Sequence, residues 1–129
     1  MEGKEVKEMR YKSYAQELED IILYFAVKYE GDFEKIFYAI MSKEEVDYSK
    51  VKEYKDSLDC EYSTIISKDY PLKLKQLKRP PFVVFYKGDL SLLNSKCISI
   101  IGSRKNTEYG EKITRQIVKE LIFNNINII

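Results

Sequence analysis

The chain has no histidine and only two cysteines, Cys60 and Cys97. Two thiols are too few for a structural zinc site, and a nucleophilic cysteine would lack an imidazole base. Both thiols are therefore expected to be buried and inert, and neither a metal nor another cofactor is expected. The sequence also lacks any apolar run approaching the ~20 residues that a membrane-spanning helix requires. Its opening, MEGKEVKEMRYK, leads into no signal-peptide core. The expected setting is the cytoplasm, with no membrane partner. The Gly-x-Gly-x-x-Gly spacing of a dinucleotide site is missing too, because the next glycine after Gly102 is Gly110. A nicotinamide or flavin enzyme is disfavoured on that ground.

What is present suits a folded protein. With 129 residues, 44% hydrophobic and 33% charged, the chain can form one ordinary domain or two small ones. It is too short for a complete doubly wound sheet with an appendage. The net charge of +1 conceals an asymmetry. Residues 1–62 carry 10 Lys/Arg against 16 Asp/Glu, a net of −6, whereas residues 63–129 carry 12 against 5, a net of +7. Clustered cations supply the sequence-independent part of nucleic-acid binding, so the second half invites a polyanion. Attraction between two oppositely charged domains is the alternative, and composition does not choose between them.

The spacing of apolar residues predicts a small helical domain over residues 1–61. Leu18, Ile21, Ile22, Phe25, Ala26 and Tyr29 form one stripe at helical period, and Gly31 ends it. How far residues 1–17 extend that helix is open, since Val6, Met9 and Tyr14 fit the period poorly. Asp32 is a candidate N-cap for a second helix with stripe Phe33, Ile36, Phe37, Ile40 and Met41. Ser49 is the candidate cap of a third, carrying Val51, Tyr54 and Leu58.

A second domain over 62–129 is expected from the change of pattern at Tyr62, where Tyr-Ser-Thr-Ile-Ile-Ser reads as a β-branched strand. Asp69-Tyr70-Pro71 should open a short helix, with Pro71 at its first position and Leu74 and Leu77 inward. Pro80-Pro81 forbids its continuation. The apolar run Phe82–Tyr86, closed by Lys87-Gly88-Asp89, has the character of a strand covered on both faces. Cys97-Ile-Ser-Ile-Ile is a further buried strand, followed by a tight loop, a helical stripe of Ile113, Ile117, Val118, Leu121 and Ile122, a stop at Asn124-Asn125, and a new strand from Ile126. That is a βαβ unit with parallel strands. The predicted fold class is thus α/β, an all-α part followed by the first part of a Rossmann-like parallel sheet.

In such a unit the loop leaves the carboxyl end of a strand and faces a helix N-terminus, where anions bind. Gly102 permits close approach, Ser103 offers a hydroxyl, Arg104 a fork suited to phosphate, and Lys105 a further cation. Thr107 is the expected helix cap. Equally, Gly102 would permit a sharp turn and Arg104 would pair with a surface carboxylate. A second basic group, Lys68, Lys73, Lys75, Lys78, Arg79 and Lys87, interleaves with Tyr70, Phe82, Phe85 and Tyr86. Cations with rings can hold a nucleic-acid single strand, or they can be a solvated helix face above core aromatics.

Three ordered motifs carry a resemblance. Tyr70-Pro71-x-x-Leu74, Pro80-Pro81-x-x-x-Phe85-Tyr86-x-Gly88 and Ile100-Ile101-Gly102-Ser103-Arg104-x-x-Thr107-x-Tyr109-Gly110 resemble the DNA-processing family called DprA or Smf, from about Tyr62 to Ile129. The preceding helices stand where that family often carries a SAM-like or helix-hairpin-helix module. The resemblance implies no catalysis. It implies a Rossmann-like domain that binds single-stranded DNA, forms a homodimer when full-length, and hands the strand to the RecA recombinase in natural transformation (competence) and recombination. Gly102, Ser103 and Arg104 match the family loop that contributes to a basic DNA pocket; Thr107, Tyr109 and Gly110 match positions of loop and helix architecture. Relatives continue past the last strand into a Ser-Gly-x-Ala-x-Gly-Ile-Asp loop, so the chain is expected to be a truncated fragment and at best a weak DNA binder. Two alternatives remain. A Gly-Ser-Arg loop also occurs in lysine-decarboxylase-like nucleotide phosphoribohydrolases, and the acidic helices could form a plain interaction module.

Overall fold

The structure, a computed structural model, describes the backbone of residues 2–129 and the side chains from Ser13 onward. The poor fit of Val6 and Met9 to the first stripe concerns side chains outside the described residues. The elements are α1 (Glu2–Lys28), α2 (Phe33–Met41), α3 (Tyr48–Ser57), β1 (Glu61–Thr64), α4 (Leu72–Lys75), β2 (Val83–Tyr86), a 3-10 turn (Leu90–Asn94), β3 (Cys97–Ile98), α5 (Glu108–Phe123) and β4 (Asn127–Ile128). The fold is mixed α/β, as the periodicities predict. Two compact units divide at Gly88, Met1–Gly88 and Asp89–Ile129. The change of periodicity at Tyr62 therefore lies inside the first unit, because β1 and β2 pack on α1.

In the first unit, Tyr24, Phe25, Ala26, Ile36, Ala39 and Val51 form the core. Residues 22–26 of α1 are buried without a break. An amphipathic stripe alone would not produce that; α2, α3, β1 and β2 all contact this helix. Gly31 ends α1 as expected, at φ +77° with its N–H returning to the Ala26 carbonyl at 2.9 Å. Asp32 caps α2, its carboxylate accepting from Lys35 N at 3.1 Å. The buried face of α2 is rotated from the expected stripe: Ile36 and Ala39 point inward, while Phe37 and Met41 are exposed. In α3 the cap is Asp47, not Ser49. Its carboxylate accepts from Ser49 N at 3.0 Å and from the Ser49 hydroxyl at 2.5 Å, so Ser49 supports the cap from inside the first turn.

β1 and β2 form an antiparallel two-stranded ribbon, Glu61 opposite Tyr86 and Thr64 opposite Val83, extended by Ile65 N to the Phe82 carbonyl at 2.9 Å. The expected doubly covered strand at Phe82–Tyr86 is corrected: β2 is half-buried and Phe85 is exposed. One side rests on the helices, with the Phe82 ring 5.1 Å from that of Phe33. Pro71 stands at the N-cap of α4 rather than at its first position, and the helix is too short to include Leu77, which is exposed rather than inward.

The second unit holds the expected βαβ order. β3 and β4 pair in parallel, Cys97 with Asn127 and Ile98 with Ile128, and the ladder continues from Ile100 N to the Ile129 carbonyl at 3.2 Å. Burial is far lower than expected for these strands. Ile98 and Ile101 are exposed, and both Cys60 and Cys97 are half-buried rather than buried. A two-stranded sheet beside one helix has too few neighbours to enclose its side chains. No described helix is long and apolar enough to cross a membrane.

Candidate nucleic-acid interface

The loop after β3 delivers the backbone to the start of α5. Thr107 caps that helix, its Oγ1 accepting from Gly110 N at 3.0 Å. A Cβ on Gly110 would stand 3.3 Å from Thr107 Oγ1, so the missing side chain lets the cap close. Gly102 is different. A Cβ there would meet no protein atom within 4 Å, and its φ is not positive. The chain's own turn does not require glycine at that position; the space beside it is open. Ser103 Oγ accepts from Lys105 N at 3.1 Å, which tightens the loop and leaves the hydroxyl proton available to a ligand.

An open cleft of about 670 Å³ lies against this loop, and its lining includes Gly102, Ser103, Lys105 and Thr107. Arg104 is exposed and is not part of that lining. Among the described residues neither Arg104 nor Lys105 forms an ion pair. The expected alternative, a surface carboxylate holding Arg104, is not what these residues form. The other side of the lining comes from α5, through Thr114 and Arg115, which the sequence reading did not single out. Their signal was present: Thr107, Glu111, Thr114 and Arg115 follow helical spacing from the cap and so share one face.

The helix terminus alone is an ambivalent anion site. Its macrodipole favours negative charge, but Glu108 and Glu111 already occupy the first turn. Across residues 104–115 four cations, Arg104, Lys105, Lys112 and Arg115, stand against these two carboxylates. The net positive charge of this stretch is thus supplied by side chains rather than by the dipole.

Residues 61–129, more than half of the chain, match the family described as DNA recombination-mediator protein A. The chain belongs to the DNA recombination-mediator protein A family. It is 43% identical over 58 residues to the DNA processing protein DprA of Bacillus subtilis, covering 44% of this chain and 20% of that protein. Protein Smf of Borreliella burgdorferi is 38% identical over 63 residues, covering 49% of this chain and 20% of its own length. The DNA processing protein DprA of Streptococcus pneumoniae is 31% identical over 58 residues, 45% of this chain and 21% of that protein. The matches thus span about a fifth of the length of these relatives. No solved structure matches the chain.

Within the family segment, part of the second basic group is engaged elsewhere, while Phe85 is exposed. Tyr70 is buried, its hydroxyl donating to the Pro81 carbonyl at 2.6 Å, and Phe82 packs toward the helical core. Arg79 pairs with Glu34 and Lys87 with Asp59, and Lys75 lies 5.6 Å above the Tyr70 ring. Tyr70 and Phe82 are unavailable to bases.

Proposed function

We propose that this chain contributes to single-stranded DNA binding in recombination, as part of a protein that delivers the strand to the RecA recombinase during natural transformation. On this reading residues 62–129 are the first part of a Rossmann-like domain, and residues 1–61 are a SAM-like or helix-hairpin-helix-like module. The role is binding rather than catalysis, and the longer protein acts as a homodimer in the cytoplasm. Gly102, Ser103, Arg104, Lys105 and Thr107 form the phosphate contact. Membership of the family supports the reading. The observation that carries it is the exposed loop beside the cleft, where Arg104 and Lys105 have no carboxylate partner among the described residues.

The test is fluorescence anisotropy of a labelled oligothymidylate across a salt series. For single strands each phosphate contact contributes about −0.7 to the slope of log affinity against log salt. The parent chain is expected to bind weakly with a clear slope, and Arg104→Ala to flatten it by about one contact. Binding that is indifferent to salt and to this substitution would remove the proposal.

A further inference from the structure

The cations on the cleft are not the ones that the Gly-Ser-Arg motif advertises. Its lining holds Lys105 on the loop and Arg115 on α5, with Ile100 and Ile101 supplying apolar surface. Ile101 is 94% exposed although it immediately precedes the loop glycine. Arg115 is engaged but weakly committed. Its Nε and Nη2 both donate to a single oxygen of Glu111, at 3.1 and 2.7 Å, in a solvent-exposed pair one helical turn apart. Such pairs contribute little and are readily exchanged. Two of its five N–H donors are used, and the guanidinium fork suits phosphate oxygens better than the single carboxylate oxygen it now holds.

We propose that Arg115 is a second phosphate contact of this cleft, exchanged from Glu111 when ligand enters, so that the site takes a strand with consecutive phosphates rather than one nucleotide. The proposal rests on the DNA-binding reading above and adds a residue to it. From Thr107 to Arg115 the helix rises about 12 Å, at 1.5 Å per residue. Lys105 enters the lining from the loop and Arg115 from α5, so the two cations come to the cleft from different elements. Apolar surface at Ile100 and Ile101 is of no use to a bare phosphate, whereas a sugar or base joined to two phosphates uses it. Glu111 acts as the competitor: its carboxylate occupies Arg115 in the empty site and repels an incoming phosphate.

The experiment uses the 129-residue chain and a labelled oligothymidylate of about 12 nucleotides, within the range of single-strand site sizes. Arg115→Ala is expected to flatten the salt slope by about 0.7, as one lost phosphate contact should. Glu111→Gln is expected to move affinity the other way, tightening binding several-fold at low salt, while far-UV circular dichroism shows α5 intact in both variants. Thymidine monophosphate is expected not to displace the oligomer at equal nucleotide concentration. If Arg104→Ala flattens the slope while Arg115→Ala and Glu111→Gln change nothing, the inference fails and the DNA-binding reading stands. If none of the three changes binding, both fail. Displacement by thymidine monophosphate at equal nucleotide concentration would overturn the consecutive-phosphate requirement.

Discussion

The two compact units differ most in what they bury. All but one of the buried apolar side chains described belong to Met1–Gly88; in Asp89–Ile129 only Leu90 is buried, and α5 has no buried residue at all. Yet the second unit carries the loop, the cleft and the cations. Apolar burial and the candidate site are thus separated along the chain: the first unit is organised around Phe25 and Ile36, whereas the second is held by the β3–β4 ladder and the cap of α5. Apolar burial contributes about 25 cal/mol per Å², so the first unit should be the one that unfolds cooperatively.

The sharpest way to break that comparison is paired truncation. Phe25→Ala, at a site 1% exposed, is expected to cost about 3–5 kcal/mol. Leu121→Ala in α5, half-buried, is expected to cost less than the ~2 kcal/mol that marks the lower edge for fully buried leucines. Urea unfolding followed by tyrosine fluorescence, which the absence of tryptophan makes specific, measures both. Equal losses would mean that the second unit is as firmly packed as the first.

A smaller effect tests the part that the helix cap plays in the second unit. Thr107→Ala removes the acceptor for Gly110 N and is expected to destabilise α5 by about 1 kcal/mol. Hydrogen exchange should show amides in the first turns of α5 losing protection while those of residues 22–26 keep theirs. Loss of protection in both units would show them to be one cooperative body.

The smallest effect concerns pH in the first unit. Glu44 accepts from Lys28 Nζ at 2.6 Å and from the Tyr29 hydroxyl at 2.8 Å. Lys28 first and Tyr29 second hold its carboxyl below the usual glutamate range, and the bond to Glu44 pushes the Tyr29 phenol up. A depressed carboxyl contributes stability that is present above its unfolded value and lost as pH falls through its folded value. Melting temperature should therefore drop on acidification through the lower glutamate range, and Glu44→Gln should remove that part of the drop. An identical acid profile in the variant would show the three-residue tie to be energetically silent.

Much of the candidate site was legible because it is local. Thr107 and Gly110 are three residues apart, as a helix cap requires, and the same short-range logic identified Asp32. Ser49 misled because Asp47, two residues earlier, is the acceptor for the amides of the first turn, and Ser49 itself donates to it. The face of α2 and the roles of Tyr70 and Phe82 were not legible, since they depend on which distant surface a side chain meets. Arg115 was overlooked because its spacing from Thr107 has meaning only once the loop and the helix are known to border one cleft.

The amino-acid sequence by itself determined the mixed α/β class, the parallel βαβ order over 97–129, the caps at Asp32 and Thr107, and the motifs that join the chain to the DNA recombination-mediator protein A family. These follow from periodicity and from hydrogen bonds spanning three or four residues. Only the tertiary structure decided that β1 and β2 pair antiparallel beside α1, that Ile101 stands in solvent, and that Arg115 shares a cleft with Lys105. Each of those is a pairing of segments separated by many residues or a burial set by neighbours, and an apolar run specifies that a side chain will seek cover without specifying what will cover it.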